Sequence, residues 1–191
     1  MRDAFGGVFT MNLLLVFIFI YVAFTAVSLN YAKAFRLKNA VIDFVEQNEI
    51  TDLDYVAHSN LKDKLDQVIS KSSYNKTCDT INLNAYSKLT IGDDIILKSK
   101  GTDQTVGYCY RGVVILKEKE TPISGTKITT KGSNITSETK QIHYNIITYA
   151  DWELGALNTL LRMIGQKEED PLKGTWTVIG DAKVVSKSKE K

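Results

Sequence analysis

Charged residues are missing from the N-terminal part of the chain, where none lies between Asp3 and Lys33. Glycine and proline are missing from Val8 to Gln47, so nothing in that stretch breaks or kinks a helix. The absence of charge also removes the main cost of placing a helix in hydrocarbon. The sequence therefore predicts one continuous helix of about 40 residues, or about 60 Å, apolar in its first half.

Motifs of known catalytic chemistry are also missing: there is no HExxH, GxSxG, P-loop or glycine-rich dinucleotide loop. His143 falls in a predicted strand, where an ordinary surface or packed histidine is the simpler interpretation. Asp93 and Asp94 precede a strand and suit a turn better than a cation site. Asp52 and Asp54 lack the Gly and Glu of a calcium loop. We predict no enzymatic activity and no metal or cofactor.

A strong charge of either sign is absent. The chain has 24 Lys and Arg against 22 Asp and Glu, a net charge of +2, and these residues are spread along the sequence. A dedicated nucleic-acid binder would carry a basic patch or stripe. We therefore expect no nucleic-acid partner.

Cysteine is scarce: Cys78 and Cys109 are the two in the chain. They lack CxxC spacing, and only His58 and His143 are available to complete a zinc site, so a metal site is poorly supported. In an exported domain they can pair and close a loop of about 30 residues. In a cytosolic domain they would remain two thiols. We predict the disulfide.

The apolar run from Leu13 to Leu29, with its uncharged flanks, supplies the roughly 20 residues that a membrane span requires. A buried helix of a soluble protein is the weaker alternative. A cleaved export signal with Arg2 as its basic region is the stronger one, but the run exceeds the usual 7–15 residues of a signal core. We predict a short tail at 1–10 and a retained transmembrane helix at 11–32.

The helix changes character after the span. Apolar residues recur at helical spacing with charged residues between them, which predicts an amphipathic continuation at 33–49. Either the following domain or a neighbouring subunit has to cover its apolar stripe. The positions expected to face the membrane or an assembly partner are Leu15, Phe19, Phe24, Tyr31, Phe35, Val41 and Phe44.

The sequence predicts a β-rich domain at 50–185, which we call the head, and a disordered charged tail at 186–191. A short helix is expected at SNLKDKLDQVISKS, capped by Ser59 or Asn60, with an apolar stripe of Leu61, Leu65, Val68 and Ile69. Strands are expected at TIGDDIILKSK, QTVGYCYRGVVILKEKE, KQIHYNIITYA and GTWTVIGDAKVV. Val106, Tyr108, Tyr110, Gly112, Val114 and Leu116 would share one face of the second strand.

Between the last two strands, DWELGALNTLLRMIG predicts a short helix or a hydrophobic loop that ends at Gly165. Trp152 and Trp176 suit a partner anchor, the core or a membrane interface. The fold class is α+β: a long transmembrane and amphipathic helix followed by a small, mostly antiparallel sheet.

This organisation resembles pilin-like proteins. The segment NYAKAFRLKNAVIDFVEQ after the span, then HYNIITYADWELGALNTLLRMIG and GTWTVIGDAKVV, is similar to the TadE-like minor pilins of tight-adherence pilus systems. The resemblance implies a head outside a bacterial cell and a helix that packs with other subunits. It also implies cleavage after a glycine, with Gly7 and Val8 as the processing candidate. Asn12 stands at the fifth position after that site, where type IV prepilins usually carry Glu.

The orientation signals conflict. Lys33, Arg36 and Lys38 follow the span, so the positive-inside rule alone would place the head in the cytoplasm. The cysteine pair and the resemblance place it outside, and we predict the latter. The predicted function is a non-enzymatic, single-pass pilin-like subunit of a surface filament or its base, with the membrane and other pilin-like subunits as partners in an oligomer. The alternative is a membrane protein with a partner-binding head, an accessory component of a secretion or conjugation complex.

Overall fold

A computed structural model describes residues 2–53, 56, 60–72, 74, 76–78, 81, 83–91, 94–101, 104–123, 139–153 and 173–187, without the side chains of 2–6, 91, 153 and 187. One long N-terminal helix precedes a six-stranded antiparallel sheet, which confirms the predicted α+β class. Two compact units are distinguished: an anchor unit of Met1–Lys33 and Ala150–Trp176, and a head unit of Ala34–Tyr149 and Thr177–Lys191.

The first helix, α1, runs without a break over Arg2–Gln47, 46 residues. It begins before Met11, so the segment predicted as a short N-terminal tail is helical from Arg2 onward. Gly6 and Gly7 each disfavour helix by about 1 kcal/mol relative to alanine, but each further residue of the apolar run adds one hydrogen bond to a helix already formed. The continuous helix expected from the missing breakers is confirmed.

The C-terminus of α1 is a Schellman turn built without glycine. Glu49 adopts φ 46°, its amide donates to the Glu46 carbonyl at 3.2 Å, and the Ile50 amide donates to the Val45 carbonyl at 3.2 Å. Val45 and Ile50 are both buried, which supplies the hydrophobic contact typical of this motif. The left-handed residue and this contact explain why the helix ends close to the predicted boundary at 49.

The second helix, α2, spans Leu61–Lys71. Leu65 and Ile69 are buried, and Leu61 and Val68 pack partly buried against the same core, so the predicted stripe is confirmed. Asn60 occupies the predicted N-cap position, and its carbonyl accepts from the Lys64 amide at 3.4 Å, but its backbone angles are helical and its side chain makes no capping hydrogen bond. Ser59 lies outside the described residues.

Six strands lie in the sheet in chain order. Their bounds are β1 Ser87–Ile91, β2 Asp94–Lys98, β3 Thr105–Tyr110, β4 Val113–Ile123, β5 Thr139–Glu153 and β6 Lys173–Lys187. The predicted strands at KQIHYNIITYA and GTWTVIGDAKVV correspond to β5 and β6. The first two residues of the tail predicted at 186–191 belong to β6, and 188–191 lie outside the described residues. Residues 154–165, where a short helix or hydrophobic loop was predicted, also lie outside the described residues.

Two segments predicted as single strands are pairs of strands. TIGDDIILKSK contributes to β1 and β2, and QTVGYCYRGVVILKEKE forms β3 and β4, joined by Arg111 and Gly112. Both joining residues have positive φ, 45° and 74°, as in the two-residue hairpin turns that match the twist of a sheet. Arginine at the first turn position hides this signal in the sequence.

The hairpin overturns the single-strand face predicted for this segment. Cys109 pairs directly with Val114 across β3 and β4, and directly opposed residues point to the same side of the sheet. Val114 and Leu116 therefore lie on the side opposite Tyr108 and Tyr110. The two pairs belong to separate hydrophobic clusters.

The middle of the sheet is covered on both faces. Buried residues run consecutively through β2, β3 and the start of β4, as expected for strands with no solvent face. On one face the core includes Leu37, Val41, Phe44, Val45, Leu65, Ile69, Ile96, Tyr108, Ile115, Tyr144 and Ile146. On the other it is formed by Cys78, Ile81, Leu83, Ile95, Leu97, Cys109 and Val114.

Within the head unit, the sheet and α2 thus cover most of the apolar stripe of α1. Val41 and Phe44, both predicted as assembly positions, are core residues with less than a tenth of their surface exposed. Phe35 is 43% exposed, with the Lys38 ammonium 4.2 Å above its ring centre. Of the two ways to cover the stripe that the sequence left open, the head supplies one, and Phe35 remains accessible.

Candidate functional site: the membrane anchor and the bonds of the head

The apolar half of α1 is exposed along most of its length. Leu15, Phe24 and Tyr31 are 43%, 70% and 44% exposed, and Phe19 is half-buried. Only 6% of the most apolar stretch is buried, whereas the core helix of a soluble protein would be mostly buried. Among the described residues, α1 is the one helix long and apolar enough to cross a membrane.

Two hydroxyls in the apolar half bond to the backbone of their own helix. The Thr25 hydroxyl donates to the Tyr21 carbonyl at 2.8 Å, and the Ser28 hydroxyl donates to the Phe24 carbonyl at 2.9 Å. Hydroxyls that bond back to the preceding turn are satisfied without water. These two hydroxyls are therefore compatible with hydrocarbon, where a polar group has to find an internal partner.

One side of the apolar half differs from the rest. Phe19, Ala23 and Val27, spaced four residues apart and so on one helix face, are half-buried, buried and half-buried respectively. Leu15 and Phe24 are exposed. Of the positions predicted to meet an assembly partner, Leu15, Phe24, Tyr31 and Phe35 have the accessibility this requires, and Phe19 has less of it.

Three aromatic rings meet at the end of the apolar half. Trp176, on β6, lies 6.2 Å from the ring centre of Tyr31 and 6.1 Å from that of Trp152, on β5. Gly174 makes room for this arrangement, because a Cβ there would lie 2.5 Å from the Trp152 ring. We refer to Tyr31, Trp152 and Trp176 as the aromatic cluster.

Hydrogen bonds fix the strands that carry the aromatic cluster. The Asn30 side-chain amide donates to the Asp151 carbonyl at 3.1 Å, which ties α1 to β5. The Thr175 hydroxyl donates to the Asp151 carboxylate at 2.6 Å, which ties β5 to β6. The buried Nε1 of Trp152 meets no acceptor among the described residues. Trp176 is 46% exposed, so the cluster is open to its surroundings on one side.

The predicted disulfide is present. Cys78 and Cys109 are bonded across a sequence separation of 31, with their Cα atoms 6.1 Å apart, and both are buried in the second core cluster. His143 lies half-buried on β5, and His58 lies outside the described residues. The described residues contain no group of three or more His, Cys, Asp or Glu that is arranged to hold a metal ion.

An ion pair between a partly exposed lysine and a buried aspartate holds α2 to the sheet. The Lys62 ammonium lies 2.8 Å from Asp94 Oδ2, and the Asp94 side chain is only 2% exposed. Asp94 begins β2 and pairs with Ile91, the last residue of the antiparallel β1, so it lies at the chain reversal that the predicted turn requires; Asp93 lies outside the described residues. Neither Asp94 Oδ1 nor the buried Tyr108 hydroxyl has a hydrogen-bond partner among the described residues. Burial, together with the negative charge of Asp94, raises the pKa of Tyr108.

A second set of charges joins α2 to the β3–β4 turn. The Tyr110 hydroxyl donates to Asp66 Oδ1 at 2.7 Å, and an Arg111 guanidinium nitrogen lies 3.0 Å from the same oxygen. Burial raises the pKa of Tyr110 to about 12, and the hydrogen bond to Asp66 adds to the shift. Both sets were missed in the sequence, where the only local signal is the spacing of Lys62 and Asp66 on one face of α2. Both sets join α2 to the sheet.

The processing candidates lie on α1. Val8 is 62% exposed, Asn12 is exposed, and a side chain added at Gly7 would meet no other residue within 4 Å. Cleavage at Gly7 remains a prediction from the sequence.

Comparison with protein-family models, with curated proteins and with solved structures gives no match for this chain. The resemblance to TadE-like pilins therefore stays a prediction carried by the order of elements and the segments named above.

Proposed function

We propose that this chain is a non-enzymatic, membrane-anchored, pilin-like subunit that packs with other subunits through the apolar half of α1. The observation that carries the proposal is that the two halves of one uninterrupted helix have different surroundings. Its N-terminal half exposes apolar side chains to the surroundings, and its C-terminal half supplies Leu37, Val41, Phe44 and Val45 to the core of the head unit.

Contacts of α1 support an anchor that stays attached to the head. Directly after the apolar run, Ala32-Lys33-Ala34 has the small-x-small pattern at which export signals are cleaved, and the buried Thr148 hydroxyl donates to the Ala34 carbonyl at 2.9 Å. Cleavage after Ala34 would remove this acceptor and leave the buried Thr148 hydroxyl close to a new, charged N-terminus. An uncompensated charge or an unpaired hydroxyl in a buried site costs free energy, so retention of the helix is favoured.

The disulfide supports a head on the outer side of the membrane, because such bonds form and persist in oxidising compartments. Lys38, one of the basic residues that argue for the opposite orientation, has a structural role. Its stem packs close to Gly180 on β6, and its ammonium lies over Phe35. Lysine commonly covers apolar surface with its stem in this way, so this positive charge is explained without reference to topology.

Topology is best tested with a new cysteine, because both native cysteines are buried and bonded. Lys119→Cys places a thiol at an exposed position of β4. A membrane-impermeant maleimide applied to intact cells should label this variant, while the native chain stays unlabelled. Labelling that appears only after lysis would place the head in the cytoplasm and contradict the proposal.

Assembly is tested by crosslinking neighbouring positions of α1 in native membranes. Phe24→Cys and Leu15→Cys place thiols on the exposed faces, and Ala23→Cys places one on the buried face. Positions 23 and 24 differ by only about 1.5 Å in depth, so Ala23→Cys is a matched control. Under oxidation, the two exposed variants should form disulfide-linked dimers or adducts with cysteines introduced at the same positions of other pilus subunits.

A membrane-inserted chain that gives no crosslink at either exposed position would contradict assembly through α1. That result would favour the alternative, an accessory protein whose head binds its partner. The ion pair between the exposed Arg111 and the half-buried Asp66 is then the first surface to test.

A further inference from the structure

The aromatic cluster contains every tryptophan in the chain, since Trp152 and Trp176 are the only two. It lies entirely within the anchor unit, which also contains the apolar half of α1. Tyr31 and Trp176 each leave close to half of their surface exposed, although they are large and mainly apolar. Each of these two half-exposed rings is packed on one side and can contact lipid or another molecule on the other side.

The cluster lies where the apolar surface of α1 ends. The exposed apolar side chains extend from Val8 to Leu29, about 33 Å of helix, which matches the roughly 30 Å of hydrocarbon in a bilayer. Tyr31 follows about 3 Å beyond Leu29 along the helix axis. The first charged residue, Lys33, comes two positions later. If α1 spans a bilayer, Tyr31 falls in the headgroup region.

The chemistry of the cluster fits that region. Tryptophan and tyrosine concentrate at membrane interfaces because an apolar ring and a polar N–H or O–H suit the boundary between hydrocarbon and headgroup. Exposed Lys33 and Lys173 flank the cluster in the sequence and suit lipid phosphates. The one acidic side chain described beside the cluster, Asp151, accepts a hydrogen bond from Thr175.

We propose that the exposed rings of Tyr31 and Trp176, with the half-buried Trp152 packed against Trp176, form a second membrane contact, a lipid-headgroup surface that holds the ends of β5 and β6 in the interface. The Asn30–Asp151 and Asp151–Thr175 bonds transmit this contact from helix to strands. The occupant is the phospholipid headgroup layer. Its continuity with the apolar surface of α1 and the flanking lysines distinguish it from a protein partner. The proposal rests on the membrane anchoring proposed above and adds a site to it.

The experiment uses the two tryptophans as reporters in the full chain, reconstituted into phosphatidylcholine vesicles with a fraction of phosphatidylglycerol. Trp152→Phe leaves Trp176 as the sole tryptophan, and Trp176→Phe leaves Trp152. Each variant is placed in vesicles whose acyl chains are brominated either close to the headgroup or close to the methyl end, and iodide is added from the water. Circular dichroism confirms that each variant keeps its fold.

We expect Trp176 to lose more fluorescence with bromine near the headgroup than with bromine near the methyl end, and to be shielded from iodide. Full quenching by iodide with no effect of brominated lipid would overturn the proposal. Shielding from both quenchers would also overturn it, because a protein surface would then cover the ring. Carbonate-resistant association with vesicles, measured in parallel, reports anchoring by α1 separately, so loss of the aromatic contact alone leaves the proposed function standing.

Discussion

Removal of the Cys78–Cys109 disulfide by the double substitution to alanine should lower the stability of the head by a predictable amount. The bond closes a loop with a sequence separation of 31, for which the loss of chain entropy in the unfolded state corresponds to about 3.7 kcal/mol at 25 °C. Alanine is preferable to serine because both positions are buried in an apolar cluster, where an unpaired hydroxyl would add its own cost.

The assay has to report on the head alone. In a bilayer α1 would keep its helical signal after the head unfolds, and both tryptophans belong to the anchor unit, so spectroscopy would follow the wrong part of the chain. Pulse proteolysis of the full chain in lipid nanodiscs across a urea gradient avoids this problem. With a denaturant slope of about 1–3 kcal/mol per molar urea, the midpoint should fall by roughly 1–4 M.

Reductant provides the matched control. The native chain treated with reductant under unfolding conditions should move to the midpoint of the alanine variant, and the variant itself should not respond. Equal midpoints for the oxidised native chain and the variant would refute the loop-closure argument and show that non-covalent packing alone sets the stability of the head.

Three further predictions concern the hairpin, the ion pair and the tyrosines. Gly112→Ala should destabilise the head by roughly 1–3 kcal/mol more than Gly101→Ala. Both glycines have positive φ, but only at Gly112 would an added Cβ meet another residue, the Lys76 side chain at 2.6 Å. Equal urea midpoints for the two variants would contradict this. Lys62→Met should cost about 2–3 kcal/mol by leaving Asp94 buried without its cation, and a second change, Asp94→Asn, should recover most of the loss in the same assay. The fold raises the pKa of Tyr110 from 10.0 to about 12 and so favours the neutral phenol; the resulting stability is complete below pH 10 and is lost as the pH rises towards 12. Tyr110→Phe should make that alkaline loss shallower, and an unchanged pH curve would count against the assignment.

Helical features could be predicted from the sequence because their signals are local. The continuity of α1 follows from the missing breakers, and the stripe of α2 follows from the spacing of Leu65 and Ile69. The β3–β4 turn could not be predicted, because its positive φ at Arg111 is imposed by the pairing of the strands rather than by the residue.

The polar contacts between α2 and the sheet could not be predicted from the sequence, because their partners lie far apart along the chain. Lys62 and Asp94 are separated by 32 residues, and Tyr110 and Asp66 by 44. Which charges meet is determined by how α2 packs on the sheet, and no pattern along the chain encodes that choice. The disulfide was predictable because two cysteines allow a single pairing.

The contact between α1 and β6 has a consequence for biosynthesis. The Lys183 amide donates to the Glu46 carboxylate at 3.0 Å, across 137 residues of sequence. At about 5–20 residues per second, a ribosome needs roughly 7–27 s to synthesise the intervening chain. During that interval the first helix has already emerged, while the strand that contacts it does not yet exist. The newly made protein therefore has to keep the uncovered side of this helix from binding elsewhere, and any truncation before β6 would make that exposure permanent.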